Sequence, residues 1–368
     1  MKILTIVSAI DLSKPGGGIP IWWQMLKSFH EVGAEVIVVP CAGLSFRSPW
    51  WRSFPRPFVQ NNLFDYAQQH GISINKKTSR NLFERGWKRH LDKIFRAESN
   101  IDAVLMLSVP ALAEGIPLYI RRKHNVSTVY YESDIQNIPK YSLDHHPGKH
   151  KLTDYFEVDA VVCAFEKISQ ELRGMGVKDV RTVPFGADPT IFAPAEVKQD
   201  IDIFFSGYGA LDREDWIRQM ITNPSKLMKD TKFLVEGHFN VDLGVVQRTQ
   251  SVSLDKYIHL CRRSKINLNI LRQQFVNGGV LNSRVFELAS LECCVVSNPC
   301  SSLVEFFEPN KEIIVVKDEN EAVETYKWLL SSNEDRMKIG KAARQKVLQK
   351  HTYNHRAREL ITIFEELA

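Results

Sequence analysis

The sequence predicts an α/β protein of two domains, each a doubly wound parallel sheet. Three observations predict it. Short, nearly continuous apolar runs alternate with segments of helical periodicity, as strands covered on both faces do. The alternation occurs twice along 368 residues, a length at which one core usually gives way to two. Between the two sets, Val183-Pro184-Phe185-Gly186-Ala187-Asp188 leads through Phe192-Ala193-Pro194 into a polar run ending at Asp202, and its prolines and glycine let neither sheet continue.

In the first half, Ile3 to Val7, Val36 to Val39, Ala103 to Leu107, Thr128 to Tyr131 and Ala160 to Cys163 read as strands, with helical spacing over Ile21 to Val32 and Leu112 to Arg122. In the second, the strands are Ile203 to Phe205, Lys232 to Val235, Ile266 to Leu271, Cys294 to Val296 and Ile313 to Val316. Strand–helix alternation winds helices onto both faces of a parallel sheet. The expected domains are 1–190 and 198–350, followed by helical spacing from Tyr353 to Leu367. Two such sheets facing each other enclose a central cleft at the carboxyl ends of their strands, where ligands bind.

Composition narrows the class. Apolar residues make up 44% and charged residues 25%, as in ordinary globular proteins, and the net charge of +5 mildly favours anionic ligands. No run reaches membrane-spanning length, and Met1 to Val7 reads as a buried first strand better than as a secretory signal, because the apolar run is short and Asp11 and Lys14 follow it. Cys41, Cys163, Cys261, Cys293, Cys294 and Cys300 show no metal-ligand spacing and sit in apolar runs. They read as reduced core residues of a cytoplasmic protein, and no metal site is expected.

The strongest local pattern is Asn277-Gly278-Gly279-Val280-Leu281-Asn282-Ser283-Arg284-Val285-Phe286-Glu287-Leu288-Ala289, placed after the strand that ends near Leu271. Asn282 or Ser283 is positioned to cap a helix whose free N–H groups suit a diphosphate. Arg284 adds a bidentate phosphate contact, and Glu287 shares its helix face and suits ribose hydroxyls. The bland alternative is a capped helix with a surface Arg–Glu pair. Gly16-Gly17-Gly18 follows the first strand, where Gly17 and Gly18 let backbone approach a phosphate or sugar, unless the turn is merely flexible. Ser206-Gly207-Tyr208-Gly209, with Tyr208 and then Arg213, follows the first strand of the second domain. Tyr130-Tyr131-Glu132-Ser133-Asp134 ends a first-domain strand, so Glu132 or Asp134 is a candidate base for an acceptor hydroxyl. Each is equally readable as a turn residue.

The stretch Ile266 to Arg356 resembles the C-terminal part of the spore-maturation-type GT-B glycosyltransferases. The resemblance is carried by Asn267-Leu268-Asn269, Asn282-Ser283-Arg284-Val285-Phe286-Glu287, Asn298, Glu305-Phe306-Phe307 and His351-Thr352-Tyr353 with Arg356. The hinge Pro184-Phe185-Gly186-Ala187-Asp188 with Phe192-Ala193-Pro194 resembles that of family 4 glycosyltransferases. The resemblance implies two Rossmann-like domains, residues 352–368 crossing back to the first of them, a nucleoside diphosphate sugar as donor substrate, and no cofactor or essential metal. It also implies that Glu287 is the ribose-binding carboxylate and that Gly17 and Gly18 face the donor. Arg213, with Arg218 as second choice, becomes the cation that neutralises the leaving diphosphate; either can instead pair with Glu214 or Asp215. Family 4 enzymes carry a further Glu with seven residues between it and the ribose carboxylate; this chain has Gly279 there. The stereochemical course therefore stays open.

The acceptor is open as well: a glycan, a lipid-linked sugar or a nucleic acid. Phe46 to Phe58 is rich in aromatics, Arg and Pro and suits an acceptor, while Leu82, Phe83, Trp87, Leu91, Ile94 and Phe95 form an apolar stripe among Lys88, Arg89, Lys93 and Arg96. That stripe either packs on the sheet or lies on an anionic membrane, giving a cytoplasmic enzyme a peripheral membrane contact. Two rivals remain: a DNA-base glycosyltransferase whose Arg-aromatic loop tracks nucleic acid, and a non-catalytic nucleotide- or glycan-binding protein of the same fold.

Overall fold

The computed structural model describes residues 1–7, 21–41, 48–55, 76–107, 115–133, 155–209 and 211–368, with backbone alone for 76–83 and 211. Gly17, Gly18, Asp134 and both ends of the Phe46 to Phe58 segment lie outside these residues. The chain divides into two compact units: Met1–Asp11, Met25–Pro184 and Ala357–Ala368 form the first, and Leu12–Gln24 with Phe185–Arg356 the second.

The first unit holds a seven-stranded parallel sheet of β1 (Lys2–Val7), β2 (Glu35–Pro40), β3 (Arg52–Ser53), β4 (Ala103–Leu107), β5 (Ser127–Glu132), β6 (Ala160–Cys163) and β7 (Val180–Thr182), ordered β3-β2-β1-β4-β5-β6-β7. Central strands such as β1 and β4 are buried along nearly their whole length, which is why they read as unbroken apolar runs. The helix Lys76–Ala97 turns Trp87, Leu91 and Ile94 into the core and leaves Lys93 and Arg96 exposed. Sheet packing therefore claims this part of the apolar stripe, and the proposed membrane-facing role loses its apolar face there. No helix among the described residues is long and apolar enough to cross a membrane. The end of the chain is tied in here too: Ser127 Oγ donates to the Leu367 carbonyl at 2.7 Å, and Arg181 pairs with Glu366 at 2.8 Å.

The second unit holds a six-stranded parallel sheet of β8 (Ile201–Ser206), β9 (Phe233–Glu236), β10 (Gln247–Thr249), β11 (Ser264–Asn269), β12 (Val295–Ser297) and β13 (Ile314–Val315), ordered β10-β9-β8-β11-β12-β13. Its core packs Ile203, Phe205, Val235, Ile266, Leu268 and Val296 of the sheet against Met220 and Tyr326. From β8 the chain winds outward to β10, then returns to place β11 on the other side of β8. That reversal puts a topological switch point between β8 and β11, the place beyond whose strand ends sheets of this kind bind ligands.

Residues 185–190 and 352–356, expected with the first domain, belong to the second unit. Backbone pairing explains the shift. Ala187 N–H donates to the His351 carbonyl at 3.0 Å, and Tyr353 N–H donates to the Ala187 carbonyl at 3.1 Å. Arg356, 3% exposed, donates through Nε to the Phe185 carbonyl at 3.1 Å and lies 2.7 Å from His351 Nδ1 through Nη2. Burial, then the Arg356 charge, push the His351 imidazole down to about 3, so the ring is neutral and its Nδ1 can accept. Its other edge sits among Phe286, Phe306 and Phe307, with centroids at 5.7, 5.4 and 6.3 Å. The His351-Thr352-Tyr353…Arg356 pattern thus forms a structural latch on the hinge segment.

Candidate functional site

The switch point of the second unit is lined by cations. Where β8 ends, Ser206 Oγ is bonded to Glu236 at the end of β9, and Gly207 N–H donates to the Glu236 carbonyl at 2.9 Å. Two loops meet here at backbone distance. Gly237 has φ +120°, and a Cβ on it would lie 2.0 Å from the Gly207 oxygen, so only glycine fits. Tyr208 follows, 53% exposed, and its carbonyl accepts from Arg213 Nη1 at 2.7 Å.

Arg213 is only 8% exposed, and its Nε is buried with no hydrogen-bond partner. Its Cζ lies 5.8 Å from the centroid of the Phe205 ring, and the Cζ of Arg284 lies 6.0 Å from the same centroid. A third guanidinium, Arg272, stands just past β11 and donates through Nε to Asp212 at 2.7 Å. Burial, then Arg284 and Arg272, pull the Arg213 guanidinium down to about 9; Asp212 opposes them weakly. Arg213 stays cationic at neutral pH. Among the described residues Asp212 is the one carboxylate paired with any of these three arginines. A buried, under-bonded cation beside two more is costly unless an anion completes it.

Arg284 opens the helix Arg284–Ser290, which is only two turns long. Contrary to expectation, Ser283 caps nothing: its backbone is helical, with φ −63° and ψ −27°, and its side chain makes no cap bond. The first turn of this helix therefore keeps its N–H groups free of a Ser283 side-chain cap, beside the guanidinium of Arg284. Ser283 also lowers the Glu287 carboxyl, against the effect of burial. Asn282 stands next to Ser283 with a buried Oδ1 that lacks a partner. Gly279, at the position of the missing second Glu, is left-handed at φ 60° and ends the helix Gln273–Gly278. A Glu there would carry backbone strain of about 1 kcal/mol.

Glu287 lies one turn beyond Arg284 and is 5% exposed. Gln24 Nε2 donates to the Oε1 of Glu287 at 3.2 Å, and the side-chain Oε1 of Gln24 accepts from Asp188 N–H at 2.8 Å. Burial raises the Glu287 carboxyl to about 7, against the opposing pull of Arg284, Gln24 and Ser283. It is thus poised to gain from any hydroxyl that donates to its charged form.

The structure therefore gathers Tyr208, Arg213, Asn282, Ser283, Arg284 and Glu287 into one unit, on the loops after β8 and β11. Arg218 stands apart, exposed and paired with Asp215 at 3.0 Å and Glu214 at 3.6 Å. Glu132 ends β5 in the first unit, 3% exposed, and accepts from Tyr155 Oη at 2.9 Å. Sequence reasoning missed Arg272 and Gln24. Arg272 was findable, since it is the first cation past a strand read as ending at Leu271. Gln24, 263 residues from its partner, carries no local signal. Among the described residues no group of three or more His, Cys, Asp or Glu is placed to hold a metal ion.

A family model described as glycosyl transferase-like matches residues 213–362. No curated protein matches the chain. Solved structures resemble it end to end. Sucrose-phosphate synthase from Thermosynechococcus elongatus aligns at TM-score 0.68 and 13% identity, covering 100% of this chain and 99% of that one. Trehalose-6-phosphate from E. coli bound with UDP-2-fluoro glucose aligns at 0.63 and 11%, covering 99% of each. Anabaena Alr3699/HepE in complex with UDP aligns at 0.63 and 10%, covering 100% of each. At these identities the likeness establishes the fold: two parallel sheets with flanking helices, as in GT-B glycosyltransferases.

Proposed function

We propose that the chain transfers a sugar from a nucleoside diphosphate sugar to an acceptor hydroxyl, and that Arg213, Arg272 and Arg284 hold the diphosphate. The observation that carries this is the buried Arg213 with its unpartnered Nε beside two further guanidiniums. A diphosphate supplies the charge and the acceptor oxygens this cluster lacks. As the glycosidic bond breaks, negative charge grows on the leaving diphosphate, and cations already fixed in place stabilise it without reorganising. Glu287 would accept from the ribose hydroxyls, with Tyr208, Asn282 and Ser283 lining the donor. Glu132 and Asp134, with Gly17 and Gly18, are assigned to the acceptor and donor sugar side. A solved relative of this fold that holds UDP supports the donor class. The spore-maturation-type grouping rests on Asn267-Leu268-Asn269, Asn282-Ser283-Arg284-Val285-Phe286-Glu287, Asn298, Glu305-Phe306-Phe307 and His351-Thr352-Tyr353 with Arg356.

The test is donor turnover. Purified protein is incubated with a panel of nucleoside diphosphate sugars, and released nucleoside diphosphate is measured. At least one donor is expected to be hydrolysed slowly and to raise the melting temperature. No stabilisation and no release across the panel would contradict the assignment. Stabilisation without release would favour a binding-only protein, the reading that Gly279 in place of the second Glu supports. Salt-sensitive DNA binding would instead point to a nucleic-acid acceptor.

A further inference from the structure

Asn298 sits at the end of β12, fully buried, and touches none of the three arginines by hydrogen bond. Its side chain grips one residue just past the neighbouring strand, β11, from both sides. Asn298 Oδ1 accepts from Leu271 N–H at 2.8 Å, and Asn298 Nδ2 donates to the Leu271 carbonyl at 3.3 Å. The layer beneath is tied as tightly: Asn269 Nδ2 donates to Ser297 Oγ at 3.1 Å, and Ser297 Oγ donates to the Asn269 carbonyl at 2.9 Å.

This side-chain clamp replaces the ladder. β11 pairs with β12 only as far as Asn269 and Ser297. Ile270 and Leu271 are apolar and fully buried, yet they leave the sheet. Their polar backbone needs partners once the ladder stops, and Asn298 supplies them at Leu271. The very next residue is Arg272. On its far side Arg272 is fixed again, because its carbonyl accepts from Phe275 N–H at 2.9 Å and Val276 N–H at 3.0 Å to start the helix Gln273–Gly278. The backbone of Arg272 is therefore held before and after. From there its side chain reaches across to Asp212 and acts on Arg213.

Resting on the diphosphate assignment above, we infer that Asn298 is a positioning residue. By clamping Leu271 it sets Arg272 within the cation cluster, so diphosphate capture depends on an amide that touches no ligand. An Asn does this where Asp or Leu does not, because the peptide offers one donor and one acceptor and needs both in return.

The test is a double-mutant cycle on inorganic pyrophosphate binding by calorimetry, using the full chain and the variants Arg272→Ala, Asn298→Ala and both together. Arg272→Ala is expected to weaken binding about tenfold or more, since it removes a charge-assisted contact. Asn298→Ala is expected to weaken it several-fold, and to add nothing once Arg272 is gone. Independent, multiplying losses would overturn the inference, because a merely structural Asn298 weakens binding whether or not Arg272 is present. If Asn298→Ala does not fold, Asn298→Ser keeps a polar group in the gap and takes its place in the cycle. Failure of the donor assignment looks different: Arg213→Ala, Arg272→Ala and Arg284→Ala would all leave pyrophosphate affinity unchanged, which overturns both.

Discussion

Two buried arginines in the second unit show how the same side chain serves opposite ends. Arg356 is 3% exposed and bonded to the Phe185 carbonyl and the neutral His351 ring. Arg213 is 8% exposed, bonded to one carbonyl, short of a partner at Nε, and faced by two other arginines. Arg356 completes a local structure. Arg213 is left incomplete by the fold, and what it lacks has the charge and geometry of a phosphate. Local completeness, more than burial or residue type, separates a latch from a binding site.

Mutation is the strongest way to break this comparison. Arg213→Ala is expected to lower turnover by about 10²–10³-fold while leaving the melting temperature nearly unchanged, because it also removes buried like-charge repulsion. A stability loss matching that of Arg356→Ala would erase the distinction. Arg356→Ala strips partners from a buried carbonyl and imidazole, and is expected to cost about 2–3 kcal/mol of stability. Chemical denaturation reads this, and donor affinity of the folded fraction should not move.

The pH dependence sharpens the contrast, because the two regions oppose each other in sign. His351 is lowered in the folded state from 6.5 to about 3. Its contribution is fully present above about pH 6.5 and is lost as pH falls toward 3. His351→Gln, which keeps a neutral acceptor, should flatten the acid side of a stability profile. Glu287 is raised from 4.5 to about 7. The folded state holds that proton more tightly, so stability present below about pH 4.5 is lost as pH rises through 7. Glu287→Gln should flatten the alkaline side, raise the melting temperature at pH 8 above that of the parent protein, and weaken donor binding. A Gln variant with unchanged donor affinity would detach Glu287 from the site.

The architecture was largely legible because central strands buried on both faces announce themselves as apolar runs. The strands that escaped were β3, β7 and β10, where Arg52 and Ser53, Arg181 and Thr182, and Gln247 and Arg248 are polar and lie at or near sheet edges. The strand read to Leu271 stops at Asn269, since the Asn298 clamp takes Leu271 out of the ladder, and no local pattern reveals a partner 27 residues away. Within the candidate site, Arg284 and Glu287 stand within one helix turn as their spacing predicts, while Arg213 was singled out by the family resemblance. Of the two expected cap residues, Asn282 or Ser283, Ser283 caps nothing, because its backbone is already helical. Gln24 joins through a tertiary contact that spacing does not encode, whereas Arg272 had its place just past a strand.

The most direct measurement is a crystal structure of the protein with a bound nucleoside diphosphate. The phosphate oxygens should lie within about 3 Å of guanidinium nitrogens of Arg213, Arg272 and Arg284, with the ribose toward Glu287. Phosphates seated elsewhere, with Arg213 Nε still unpartnered, would contradict the central claim.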